Sequence, residues 1–397
     1  MKAAKLTVIL MALSLLLSCE LFKGPFGREN TRDPQSPAYA GWYGVKVVDS
    51  ANDVGMHASM KVSGQNVFIS YFDATKGQVR FATSADGGLV WTTKQVGNSA
   101  NTAGNPSAIA IRPKALTFDV ALVHQDLNSL LAKKSADSGA TWIDAITQPD
   151  VANTVLQQCS LAAGTGADDT YYASYYVQGV PVNQLWFARS VAGGANWSAG
   201  VRIDPNPTED VGSFSSIAVS GTAVFVAHRN RSTGAIVLTN SITGGTAFSP
   251  PEHVGSTSTG VLGGTSVAAT DNMNVYVAYF DGTHLAFAKS SNGGGSFFAQ
   301  SVVNSNAGIS PSIAISAGRI YISHFLAANG DLLFTRSDDF GATWIDPPML
   351  VDTGLGSNLV GKSTSIAVDG TNVYIAYYDA ANRDLKIAKS IDNGDTW

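Results

Sequence analysis

One octapeptide recurs seven times in this chain at intervals of roughly 50 residues, and that recurrence constrains the fold more than any other feature. Two copies read Ser135-Ala-Asp137-Ser-Gly139-Ala-Thr-Trp142 and Ser337-Asp-Asp339-Phe-Gly341-Ala-Thr-Trp344; the others span Ser84–Trp91, Ser190–Trp197, Ser241–Phe248, Ser290–Phe297 and Ser390–Trp397. A single unit of this length cannot bury its own apolar surface, so the units must stack into a ring or an array.

The segments between octapeptides share one grammar. In the last period Ser365–Val368 reads as a first strand, Asn372–Tyr378 as a second and Asp384–Lys389 as a third. A fourth follows the octapeptide, as in Trp197–Asp204. Four short antiparallel strands per period, with 40 glycines and only 14% charged residues in the chain, predict an all-β fold: a seven-bladed β-propeller of four-stranded blades. The first strands carry small residues, Ser216 with Ala218, Ser312 with Ala314 and Ser365 with Ala367, as crowding around an axis requires. The seventh period reaches Trp397 without a fourth strand, and Trp42–Asp49 has the spacing of Trp197–Asp204. The N-terminal strand is therefore expected to complete the seventh blade, a closure that buries the sheet edges an open array would expose. The rival reading, a piece of a linear array, treats the match at Trp42 as chance.

Residues 1–18 read as a leader. Lys2 and Lys5 precede an apolar run from Leu6 to Leu17, too short to span a bilayer comfortably. The run ends in Leu16-Leu17-Ser18-Cys19, which resembles the lipobox of bacterial lipoproteins; that resemblance implies lipidation of Cys19 and a place in the bacterial cell envelope. The alternative is an ordinary signal peptide with a chance cysteine. Residues 19–41, rich in Pro, Gly and charge, read as a flexible tether, and 42–397 as the propeller. The remaining cysteine, Cys159, lies in a strand-like segment and reads as a small buried hydrophobe. A net charge of −5 leaves no basic footprint for nucleic acid, and the expected membrane attachment is through Cys19 alone.

The octapeptide resembles the Asp-box, Ser-x-Asp-x-Gly-x-Thr-Trp, of the sialidase and bacterial-neuraminidase-repeat superfamily of propellers. The resemblance runs from Trp42 to the end. Asp86, Asp137, Asp339 and Asp392 keep the aspartate, whereas Ala192, Thr243 and Asn292 replace it. A short acidic side chain accepts backbone N–H groups in a tight turn, glycine supplies positive φ and the aromatic anchors the hairpin, so these residues read as structural.

Sialidases of this superfamily use three arginines, a tyrosine–glutamate pair and an acid/base aspartate, and a fold alone does not carry such a site across. The nearest match to the first arginine's motif is Ile111-Arg112-Pro113, which lacks a residue between Arg and Pro and falls on the face carrying the octapeptides. Beyond the tether only Glu209 and Glu252 are glutamates. Glu209 is the one partner available to a tyrosine, with Arg231 and Arg383 as upper-face arginines and Arg229 just inside. Arg189, Arg336, Lys134, Lys289 and Lys389 stand just before octapeptide serines, a recurrence that reads as structural or solvated.

Aligned second strands carry Tyr71, His124, Tyr175, His228, Tyr279, His324 and Tyr377 at one position. Two residues later come Asp73, Asp126, Val177, Asn230, Asp281, Leu326 and Asp379, on loops expected to be exposed on the face opposite the octapeptides. The aromatic ring position either lines a binding wall or seals the gaps between blades. His57 and Lys61 break the pattern, and Lys61 stands where other first strands carry alanine or serine, facing the axial channel. The ligand face is thus read as His57, Lys61, Asp73, Asp126, His228, Asn230, Asp281 and Asp379. No metal site and no cofactor are implied, since no compact Asp-x-Asp-x-Asp loop occurs. The reading is an envelope binding protein for a glycan or an extracellular protein partner. The alternatives are a sialidase-like exo-glycoside hydrolase and an assembly scaffold.

Overall fold

The second strand of each repeat is apolar along most of its length and has to be covered on both faces. In the computed structural model, which describes residues 42–98, 106–165, 169–179, 181–257, 263–302, 308–353 and 360–397, Asn66–Asp73, Tyr171–Val177 and Asn372–Asp379 are such strands, buried almost throughout. Residues 1–41, with the expected leader, Cys19 and tether, lie outside the described residues.

Seven antiparallel sheets follow one another along the chain, and the described residues include no helix. The first blade is Val54–Ser63, Asn66–Asp73, Gln78–Ser84 and Thr92–Asn98 in that order. In the third blade the outer strand is broken into Asn196–Trp197 and Val201–Asp204, both paired with Gln184–Val191. The seventh blade takes its outer strand from the other end of the propeller: Gly44–Asp49 lies antiparallel to Asp384–Ser390, with Gly44 opposite Lys389 and Lys46 opposite Ile387. The N-terminal strand closes the ring.

First strands of successive blades meet around the axis. There the inner edge of each sheet has backbone N–H groups with no further strand to accept them, and one serine per blade takes that role. Ser59 Oγ accepts from Ile109 N at 3.2 Å, Ser160 from Ile217 at 3.2 Å, Ser216 from Val267 at 3.1 Å and Ser266 from Ile313 at 3.1 Å. Ser312 accepts from Ile366 at 3.1 Å, and Ser365 closes the circle on Met60 at 2.9 Å. Ala108 occupies the position in the second blade and leaves that junction without its hydroxyl.

The octapeptides turn between third and fourth strands, and each binds itself before it binds anything else. Ser135 Oγ donates to Asp137 Oδ1 at 2.7 Å, the same oxygen accepts Thr141 N at 2.8 Å, and Gly139 N donates back to Ser135 Oγ at 2.8 Å. Asp86, Asp339 and Asp392 repeat the arrangement. Asn292 and Thr243 replace it with weaker acceptors. Bonds from the Thr343 hydroxyl and amide and the Ser337 hydroxyl hold the Asp339 carboxyl down at about 2. Gly139 is required twice over, by its φ of 86° and because a Cβ there would lie 2.2 Å from the Phe81 ring of the preceding blade. Each turn rests on that blade through its aromatic too, as Trp142 packs edge-on to Phe81 and Trp397 to Phe334.

The residue before the octapeptide serine reaches the other way, to the next turn's backbone. Arg189 donates to Gly244 O at 3.3 Å, Asn240 to a carbonyl of the Gly293 turn, Arg336 to Asn393 O at 2.7 Å, and Lys389 to Gly87 O at 3.2 Å. Arg189, Arg336 and Lys389 are thus latches between blades.

Two measurements check these seams. Ser216→Ala leaves Val267 N–H without its acceptor and is expected to cost about 1 kcal/mol in urea-unfolding free energy. Burial, with Lys46 nearby, lowers the Lys389 amine to about 8. Below that pH the folded state carries a charge it disfavours; above it the folded state has released a proton that the unfolded state still holds. Stability is therefore expected to rise between pH 8 and 9.5, and Lys389→Met to lack that part of the rise.

Candidate functional site

Second strands run away from the octapeptide face, so their ends and the turns after them build the opposite face. The Tyr/His position lies in the seams between blades. Tyr71 OH donates to Asp49 Oδ2 at 2.6 Å and Tyr377 OH to Asp352 Oδ2 at 2.6 Å, while His228 Nε2 sits 2.9 Å from Asp204 Oδ2. In each pair the carboxylate ends the outer strand of the preceding blade. His124 packs on Gly97 and Tyr279 on Gly255, glycines at the corresponding place. Burial pushes His124 down to about 4 and His324 to about 3, so both imidazoles are neutral packing groups at ordinary pH.

The carboxylates expected on exposed loops are folded into their own turns. Asp73 and Asp379 have no solvent exposure. Asp379 Oδ1 accepts Ala381 N and Asn382 N, its other oxygen meets Lys386 at 2.7 Å, and Asp73 accepts Lys76 N. Asn230 and Asp281 do the same for Ser232 and Thr233, and for Thr283 and His284. Asp126 sits half-buried at the equivalent turn of the second blade. Of the residues expected on the ligand face, Asp73, Asn230, Asp281 and Asp379 cap the hairpins that follow them, His228 lies in a seam, and neither these nor Asp126 line the axial cavity.

The candidates for catalysis do not assemble among the described contacts. Glu209 Oε2 accepts Asn206 Nδ2 at 2.7 Å and Asn230 Nδ2 at 2.6 Å, and no tyrosine or arginine bonds it. Tyr176 and Tyr378, on the same face, pair instead with Asp210 and Asp53. Burial, then the Asp210 bond, raises Tyr176 to about 12, which keeps the phenol protonated. Arg231 and Arg383 are exposed on different blades. Arg112 is spent on Gly164 O and Asp169 at the octapeptide face. Among the described residues no group of three or more His, Cys, Asp or Glu side chains is placed to hold a metal ion.

His57 and Lys61 do meet, in a cavity of about 390 Å³ on the propeller axis. It is lined by the first strands of all seven blades; serine and threonine hydroxyls alternate there with aliphatic side chains, beside Gln158, Phe214 and Cys159, and no carboxylate is among the described lining residues. Burial raises the Cys159 thiol to about 12, so it is not a nucleophile.

A second hollow, of about 410 Å³, opens at the broken outer strand of the third blade. Trp186 packs partly on the core and lies directly across from Arg202 in the paired strands. Gln184, 5% exposed, borders the same space and donates its amide to Asn206 O at 2.7 Å, while its carbonyl is buried without a hydrogen-bond partner among the described residues. Asn153, Gln178 and Pro207 complete the rim, again without a carboxylate. A signal for this site was present: of seven tryptophans, Trp186 alone stands neither at an octapeptide end nor at the matching position of Trp42.

No known family and no curated protein matches the chain. Solved structures do. The lectin BP39L from Burkholderia pseudomallei superposes with a TM-score of 0.65 at 12% identity, over 89% of this chain and 98% of its own. The polysaccharide lyase Uly1 gives 0.58 at 10%, over 91% and 95%. The six-bladed Aleuria aurantia lectin, described with its fucose recognition mode, gives 0.51 at 15%, over 79% and 99%. At these identities the likeness is one of fold.

Proposed function

We propose that this chain is a lipid-anchored envelope protein of Asp-box type whose propeller binds a glycan, without cleaving it, on the face opposite the octapeptide turns. The observation that carries the reading is the hollow of the third blade. An indole flanked by a guanidinium, with the amides of Asn153 and Gln178 at the rim, offers a stacking platform, a charged donor and hydrogen-bonding groups to a sugar's apolar face and hydroxyls. Neither this hollow nor the axial cavity contains the carboxylic acid that glycosidic cleavage ordinarily needs. Glu209 borders a third hollow, along the seam of the third and fourth blades, but is tied to two amides there. Likeness in fold to two lectins supports the same reading, and anchoring rests on Cys19 and the run before it.

A glycan array probed with the purified chain is expected to show binding that Trp186→Ala weakens at least tenfold, about 1.4 kcal/mol. A fluorogenic sialoside is expected to remain intact; turnover abolished by Glu209→Gln would instead assign acid/base chemistry to this face. Labelling with radioactive palmitate in a bacterial host, lost in Cys19→Ser, checks the anchor.

A further inference from the structure

The seams of Tyr71, Tyr377 and His228 each hold a carboxylate from the preceding blade, Asp49, Asp352 and Asp204, and two of the three also hold a cation for it. Arg80, opposite Tyr71 in the paired strands, lies 3.1 Å from Asp49 and 3.7 Å from Asp73. Lys386, opposite Tyr377, lies 3.3 Å from Asp352 and 2.7 Å from Asp379. The residue opposite His228 is Val237, so the fourth blade has an aliphatic side chain where the first and seventh have a cation.

The second carboxylate of that seam has also moved. In the first blade Asn52, just before Asp53, donates to Asp73 at 2.9 Å. In the fourth the residue types are exchanged: Glu209, just before Asp210, accepts from Asn230 at 2.6 Å. Asp73 has no solvent exposure, whereas Glu209 is half-buried on the connection between blades. Asp204 has the His228 imidazole beside it. Glu209 has only the amides of Asn206 and Asn230, both on one oxygen, and its other oxygen has no hydrogen bond among the described residues.

Val237, Asp204 and Glu209 all border the hollow along this seam, about 610 Å³ in volume, and no Lys, Arg or His is among its described lining residues. The hollow thus stands where two other seams have a cation of their own. Asn206 and Pro207 border both it and the hollow at Trp186, so adjacent units of one ligand can occupy the two. Phe248, Pro250 and Pro251 supply apolar surface on which a sugar ring can pack.

We infer that this hollow is a subsite for a protonated amine, Glu209 accepting from the ammonium, so that the glycan held at Trp186 carries an unacetylated amino sugar beside the unit on the indole. The inference rests on the glycan reading of the Trp186 hollow. The bond is charge-assisted on both sides, and the acetamide of an acetylated sugar offers only a neutral donor in its place.

Calorimetric titration of the full chain with the disaccharide of D-glucosamine, at mildly acidic pH where its amines are protonated, tests the subsite against the neutral N-acetylated disaccharide. Wild type is expected to bind the amine at least tenfold more tightly. Glu209→Gln is expected to bring the two sugars to parity, and Val237→Lys, which restores the cation of the first and seventh blades, to do the same with Glu209 in place. Equal binding of the two sugars by wild type, binding of neither, or a preference unchanged in these variants each overturns the subsite; array binding that Trp186→Ala still weakens then leaves the glycan reading standing. Trilysine bound as tightly as the amino disaccharide overturns the assignment to a sugar in favour of a basic peptide. An amine preference undiminished in Trp186→Ala leaves the subsite standing and overturns the indole platform.

Discussion

The bond from a first-strand serine to the next blade's backbone is the contact on which the ring depends. A blade's outer edge faces solvent, but its inner edge ends at the axis, where seven edges converge and no further strand fits. Buried N–H groups there have to find acceptors. Serine is the smallest side chain that supplies one, and six junctions use it, including the closing bond from Ser365 to Met60. A larger residue would fill the axis; alanine, as at Ala108, has no hydroxyl to offer. The hydroxyl lining of the axial cavity is thus a by-product of closing the ring.

Two more seams lie outside that one. On the octapeptide face, side chains such as Arg336 and Lys389 cross to the next turn's carbonyl while that turn's aromatic packs back, as Trp397 does on Phe334. On the other face, Tyr71, His228 and Tyr377 meet the carboxylate that ends the preceding blade's outer strand. Each seam uses a residue type repeated from blade to blade, because each junction poses the same problem. Repetition in this chain therefore marks construction, and departures from it mark candidate function. Trp186 and Lys61 are both departures.

That distinction explains which features were legible in the sequence. The octapeptides, the four-strand grammar and the match of Trp42–Asp49 to Trp197–Asp204 fix strand order and closure because they are local patterns with a fixed period. The small residues of the first strands pointed to the axis, although their hydrogen bonds needed the neighbouring blade to be seen. The residues after the Tyr/His position were harder. Asp73 and Asp379 look like exposed carboxylates in sequence, yet their oxygens bend back onto their own hairpin amides and onto cations of the third strand, Arg80 and Lys386. Gln184 and Arg202 carry no sequence mark at all; Arg202 meets Trp186 through the antiparallel register of the outer strand, which only the fold reveals.

The distribution of acidic groups then bears on the chemistry open to the molecule. Although the chain is net acidic, its carboxylates are consumed by construction: Asp86, Asp137, Asp339 and Asp392 within turns, Asp49, Asp204 and Asp352 in the seams, and Asp73, Asp281 and Asp379 as hairpin caps. A carboxylate holding two or three such bonds is a poor general acid, because those bonds favour the ionised form, as the low value at Asp339 illustrates. Among the described residues the axial cavity is bordered by hydroxyls and the Lys61 amine, and the third-blade hollow by an indole, a guanidinium and amides. The bonds that fix the turns, seams and hairpins thus decide which polar groups are left at these two surfaces.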